Sequence, residues 1–145
     1  MNNKITGIIT VRTSSSRLPN KCLLKFGSKK IIEHIIDRCL LYGIDPILCT
    51  STDTGDDILE EIALSKEIKY YRGSLKNKIK RWSDCSNQFN IDQFHTIDAD
   101  DPFFDGEQIK ESMAYLNETN SDIITPTTTS ANGAASVGYS IRSKI

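Results

Sequence analysis

The chain has 145 residues, 38% of them apolar and 26% charged, and its eighteen Lys and Arg against nineteen Asp and Glu leave a formal net charge of −1. That balance excludes a disordered polyelectrolyte and the broad basic excess of duplex-binding proteins, so no nucleic-acid partner is expected. No apolar run approaches the ~20 residues of a membrane span, and the Met1-Asn-Asn-Lys4 start lacks the apolar segment of a secretion signal, so the expectation is a cytoplasmic protein without a membrane partner.

Lys4–Val11 is short, β-branched and apolar and reads as a buried first strand, with Gly7 inside it. The polar stretch Arg12–Lys21 follows, then a strand-like fragment at Leu23–Phe26 that ends at Gly27. Ser28 is the expected cap of a helix whose face is Ile31, Ile32, Ile35, Ile36, Cys39 and Leu40, stopped by Gly43. Pro46–Cys49 reads as a second strand, Ile58, Leu59, Ile62 and Ala63 as a helix face, and Lys69–Tyr71 as a brief strand ending at Arg72-Gly73. Ser74 is the expected cap of a third helix with Leu75, Ile79, Trp82 and Phe89 on its apolar side.

Gln93–Ile97 is a strand, and Asp105-x-x-Gln108 is a capping box that opens a helix with Ile109, Met113 and Leu116 inward. Asp122–Thr125 is a further strand, and Pro126 opens a Thr/Ser/Gly/Ala loop before a last strand at Val137–Ile141. Strands alternating with helices of this length predict one α/β domain over residues 1–145, a three-layer α/β/α sandwich with a mostly parallel sheet. In such folds ligands bind beyond the carboxyl ends of the strands, which directs attention to the loops after Val11, Cys49, Tyr71 and Ile97.

The first of those loops, Arg12-Thr-Ser-Ser-Ser-Arg17-Leu-Pro-Asn-Lys21, gathers three cations, three consecutive serines and several backbone amides directly after a strand. All are donors, which suits a cluster of anionic oxygens, although the G-x-x-x-x-G-K pattern of a P-loop is absent. A second cluster, Asp98-x-Asp100-Asp101, stands at the end of an apolar strand, where repelling carboxylates favour a hard cation. Asp105 is assigned to capping the next helix. The four cysteines (Cys22, Cys39, Cys49, Cys85) lack metal-ligand spacing and read as small buried hydrophobes, and His34, His95 and Trp82 read as structural.

Val11-Arg-Thr-Ser-Ser-Ser-Arg-Leu-Pro-Asn-Lys-Cys-Leu resembles the opening signature of sugar-activating cytidylyltransferases, A-R-x-G-S-x-R-L-P-G-K-x-L. It is most similar to the SpsF-like branch of spore-coat polysaccharide proteins, itself related to the 3-deoxy-manno-octulosonate and acylneuraminate cytidylyltransferases. Thr50-Ser-Thr-Asp53 with Asp56-Asp57, Arg72-Gly-Ser74, and Asp98-Ala-Asp-Asp-Pro-Phe-Phe-Asp105 follow in the family's order, so the resemblance covers nearly the whole chain.

The resemblance implies a nucleotide-diphosphosugar-transferase-like fold, incomplete at the C-terminus, and transfer of CMP from CTP to a sugar or sugar-phosphate acceptor in cell-surface polysaccharide or glycan biosynthesis. It also implies that Val11, Arg12, Ser14, Ser15, Ser16, Arg17 and Lys21 hold the nucleotide, with Arg12, Arg17 and Lys21 stabilising the leaving charge. Thr50, Asp53, Arg72, Gly73, Ser74 and Asp98 would complete the nucleotide site, and Asp100 would bind Mg²⁺. Two family glycines are Ser14 and Asn20 here, the glycine before the metal aspartate is Ala99, and the late acidic D-x-E-x-F strand is replaced by Ser136-Val-Gly-Tyr-Ser140. Family members run longer, which implies a homodimer or an additional C-terminal domain. Two other readings stay open: a glycosyltransferase using a nucleotide sugar through its D-x-D, or a catalytically silent nucleotide-binding module of a larger protein.

Overall fold

A computed structural model describes residues 4–14, 17–127 and 138–143. The strands are β1 (Thr6–Thr10), β2 (Lys25–Phe26), β3 (Lys29–Lys30), β4 (Asp45–Ser51), β5 (Lys69–Gly73), β6 (Gln93–Asp98), β7 (Ile123–Ile124) and β8 (Ser140–Arg142). The helices are α1 (Ile31–Leu41), α2 (Asp57–Ser65), α3 (Lys78–Gln88) and α4 (Gly106–Glu118). Six strands form one sheet in the order β5-β4-β1-β6-β8-β7, with β5, β4, β1 and β6 parallel and β8 antiparallel to both β6 and β7. The expected mostly parallel α/β architecture is the observed one.

Side-chain alternation along the parallel strands builds two cores. Ile9, Val11, Leu48 and Ile97 pack with residues of α1, α2 and α4, including Ile35, Leu59 and Met113. Ile8, Ile47, Cys49 and Phe94 face the other way onto Trp82 and Cys85 of α3. Among the described residues, α1, α2 and α4 therefore cover one face of the sheet and α3 covers the other.

Gly7 is required by that packing. A Cβ there would stand 2.8 Å from Ile97 Cδ1 and 2.9 Å from Ile44 Cγ2, closer than carbon atoms tolerate. Gly43 ends α1 with φ +71°, in the left-handed region that glycine enters without steric cost.

Two expected caps lie elsewhere. The segment around Ser28 turns as an antiparallel hairpin, β2 with β3, and α1 begins after Lys30, whose amide donates to Glu33 Oε1 at 3.3 Å. In α3 the cap is Asn77, whose side chain accepts from the Lys80 amide at 2.9 Å, while Ser74 Oγ accepts from the Asn77 amide one step earlier. Local hydrogen-bonding capacity was present at both serines, but chain reversal places them ahead of the helices. The face of α3 shifts accordingly: Trp82 and Cys85 are buried, but Ile79 is 72% exposed.

Asp105 does cap α4, accepting from the Glu107 amide at 2.9 Å. All four cysteines are free and buried. Trp82 is core, edge-on to Phe94, with its Nε1 donating to Thr10 Oγ1 at 2.7 Å. Among the described residues no helix is long and apolar enough to cross a membrane.

Candidate active site

Asp56 organises the loop that follows β1. The 3-10 turn Thr54–Asp56 tucks this carboxylate to 1% exposure beneath the chain. Its Oδ1 accepts from the Thr13 amide at 2.8 Å and the Thr13 hydroxyl at 2.7 Å, and its Oδ2 accepts from Ser51 Oγ. Burial pushes this carboxyl up, but the donors from Ser51 and Thr13 outweigh it and hold the group below the usual aspartate range. The loop's far end closes on the same residue, because the Asn20 amide donates to the Thr13 carbonyl at 2.8 Å.

Asn20 takes φ 60°, ψ 24°. Asparagine is among the few residues that visit this left-handed well readily, so it adopts here a conformation that a glycine would also allow.

Beyond the carboxyl ends of β1 and β6 this loop borders a cleft of about 470 Å³. Val11, Arg12, Ser14, Arg17 and Lys21 line it from the β1 side, with Ala99 and Asp100 from the end of β6. All but Ala99 are expected site residues brought together by the fold; Ser15 and Ser16 lie outside the described residues, as does the Ser136-Val137 segment. Lys21 Nζ stands 3.1 Å from Asp100 Oδ1, joining the expected phosphate cation to the expected metal carboxylate. Arg12 Nη1 donates to the Leu75 carbonyl at 3.0 Å, tying the β1 loop to the loop after β5.

Other expected residues stand apart from the cleft wall. Thr50 is fully buried within β4. Arg72 turns toward α2: its guanidinium meets Asp57 and Glu60 at 2.8 Å each and donates to the Ser51 and Asp53 carbonyls at 2.8 Å. Asp53, Gly73, Ser74 and Asp98 likewise do not line the cleft. Conversely, Lys76, Lys78 and Arg81 form a second cationic wall that sequence reasoning did not single out. The available signal was the basic run Lys76-x-Lys78-x-Lys80-Arg81 shortly after a strand.

The donor set for a divalent cation is small. Among the described residues no group of three or more His, Cys, Asp or Glu side chains is placed to hold a metal. Mg²⁺ commonly takes one or two carboxylates and completes its shell with phosphate oxygens and water, so an exposed Asp100 at a cationic, phosphate-sized cleft fits that mode. Burial, opposed by Lys78 and reinforced by the Asp100 charge, holds the neighbouring Asp98 carboxyl above the usual range.

Neither histidine joins the site. His34 Nε2 pairs with the Phe26 carbonyl, and buried His95 shares its Nδ1 with Ser140 Oγ at 2.8 Å.

The family model described as Cytidylyltransferase matches residues 6–140. This chain belongs to the cytidylyltransferase family. An uncharacterized protein of Methanocaldococcus jannaschii is 33% identical over 123 residues, covering 83% of this chain and 51% of its own length. The spore coat polysaccharide biosynthesis protein SpsF of Bacillus subtilis is 29% identical over 126 residues, covering 83% of this chain and 52% of its own. Among solved structures, a cytidylyltransferase from Leptospira borgpetersenii superposes with a TM-score of 0.82 at 23% identity, covering 97% of this chain and 60% of that one. The chain thus spans about half the length of the curated relatives it matches. That similarity extends over the β1 loop, β4, the β5–α3 segment and β6, which together carry every cleft residue named above.

Proposed function

We propose that this cytidylyltransferase-family chain binds CTP with Mg²⁺ in the cleft between the β1 loop and the β5–α3 segment, and supplies the nucleotide half of a CMP transfer. The carrying observation is the convergence of Arg12, Arg17, Lys21, Lys76, Lys78 and Arg81 on one cleft with Asp100 as its acidic lining residue. A triphosphate supplies the negative charge that this lining lacks. The preference for cytosine rests on the family.

The chemistry asked of the protein is positional and electrostatic. An oxygen of a sugar or sugar-phosphate acceptor attacks the α-phosphorus of CTP, the bond from that phosphorus to the β-phosphate oxygen breaks, and pyrophosphate leaves. Arg12, Arg17 and Lys21 stabilise the charge that grows on the departing phosphates. Asp100 would hold Mg²⁺, which neutralises and orients phosphate oxygens. Asp56 contributes through Thr13, holding the β1 loop in place so that the donors need no reorganisation when charge develops. A role in cytoplasmic assembly of surface polysaccharide is the corresponding biological reading, supported by the likeness to SpsF.

The test is a panel of the four nucleoside triphosphates with Mg²⁺, read by melting temperature and by pyrophosphate release in the presence of sugar acceptors. CTP should stabilise the chain most, by roughly 2.7 kcal/mol at ~100 Kd. Equal shifts with all four would leave a phosphate site without base selectivity. Pyrophosphate release by the 145-residue chain should be weak or absent, because the acidic strand of the family motif is replaced by Ser136-Val-Gly-Tyr-Ser140. Robust release would place a complete active site within these residues.

A further inference from the structure

Arg81 is a cation that the helix hides. It sits in the second turn of α3 with 1% of its surface exposed, yet it contributes to the lining of the cleft. Its Nη1 donates to the Ser74 carbonyl at 2.6 Å, while its buried Nε has no hydrogen-bond partner. Among the described residues no carboxylate lies within ion-pair distance of it. A guanidinium withdrawn from water without a counter-charge is strongly unfavourable, and the cost falls only when an anion arrives.

Arg72 gives the contrast within the same molecule. It too donates to backbone carbonyls, those of Ser51 and Asp53, but it carries two carboxylate partners, Asp57 and Glu60. Arg81 has the backbone tie without the carboxylates. Its neighbours on the cleft wall, Lys76 and Lys78, add charge of the same sign, and Asp100 across the cleft is already paired with Lys21.

We propose that Arg81 is a polyphosphate-binding residue of this cleft, and that the counter-charge missing from its surroundings is supplied by the phosphates of the bound nucleotide. The inference rests on the cleft being the nucleotide site. A neutral base could accept hydrogen bonds from Arg81 but could not balance its charge, so phosphate is the chemistry that the site lacks. Through Ser74 the same side chain also holds the loop whose Leu75 carbonyl receives Arg12, so both cationic walls are braced together before ligand arrives.

The experiment uses the whole 145-residue chain, with tripolyphosphate and metal-free CTP as probes, in calorimetric titrations of the unaltered protein, Arg81→Met and Arg81→Lys. Melting temperatures are taken without ligand. Arg81→Met retains length and packing but removes the charge, and it should weaken both probes by about 10- to 100-fold. Its ligand-free melting temperature should be equal to or above that of the unaltered chain, because an uncompensated buried charge is gone. Arg81→Lys should retain most of the affinity.

Unchanged affinity in Arg81→Met would overturn the inference, as would weaker CTP binding with tripolyphosphate binding intact. So would Arg81→Lys losing as much as Arg81→Met, or ligand-free Arg81→Met failing to fold, since each makes the residue's part geometric or structural. Absence of tripolyphosphate and CTP binding by the unaltered chain would overturn the nucleotide reading of the cleft itself, a result separable from failure at Arg81 alone.

Discussion

Asp56 holds Thr13 by both of its donors, the backbone amide at 2.8 Å and the side-chain hydroxyl at 2.7 Å, across a sequence separation of 43 residues. The turn after β4 thereby fixes the first residues after β1, where the loop proposed to bind phosphate begins. A loop rich in serine is otherwise free to bond with itself in many ways, and this buried carboxylate selects one.

Asp56→Ala should destabilise the fold by about 3 kcal/mol, because the Thr13 amide and Ser51 hydroxyl lose a charged acceptor inside the protein. Urea unfolding measures this, and triphosphate affinity should fall with it although Asp56 does not line the cleft. Unaltered affinity in a folded Asp56→Ala variant would separate loop order from binding.

Lys21→Ala should cost triphosphate binding about 1.5–3 kcal/mol, the range for hydrogen bonds from a charged donor. The ion pair it breaks with Asp100 is partly exposed, so stability should change by less than about 1 kcal/mol. Calorimetric titration beside a thermal melt distinguishes the two effects.

Asp100→Asn retains the shape of the side chain and removes its charge. Lys21 then loses its carboxylate partner and faces the phosphates alone, so metal-free CTP should bind as tightly as before or more tightly. The extra affinity conferred by Mg²⁺ should disappear. Titrations with and without Mg²⁺ read this directly, and a retained Mg²⁺ increment would remove Asp100 from the metal site.

His95 gives the fold a pH dependence. Burial lowers its imidazole to about 4 from an ordinary value of 6.5, so between those values the unfolded chain holds a proton that the folded chain refuses. Stability should therefore be fully present above pH 6.5 and decline as the pH falls toward 4, by about 3 kcal/mol in all at this site. Denaturant unfolding across that range should show the decline in the unaltered chain and a flatter profile in His95→Gln.

Much of the architecture was legible from local pattern. Ile8-Ile9 and Ile47-Leu48-Cys49 read as buried strands, and the Ile32, Ile35, Ile36, Cys39 face reads as a helix against them; all are buried as expected. The cationic loop after β1 could also be placed at a ligand-binding edge, because parallel strands put their following loops together at one end of the sheet. Strand and helix periods are properties of neighbouring residues, which is why one chain suffices to read them.

What the sequence by itself determined was therefore the order of strands and helices and one wall of the cleft, Arg12 to Lys21. Tertiary structure decided which charges are spent within the protein and which face the cleft. Arg72 lies near the end of β5 and Arg81 in the helix that follows it, yet Arg72 is consumed by Asp57 and Glu60 of α2 whereas Arg81 is carried under the cleft by α3. Asp56 and Asp57 are adjacent, yet one is buried under the β1 loop and the other reaches Arg72. The partner of a charged side chain depends on which elements pack against its own, and that distance in space is set by the sheet order β5-β4-β1-β6, not by position along the chain.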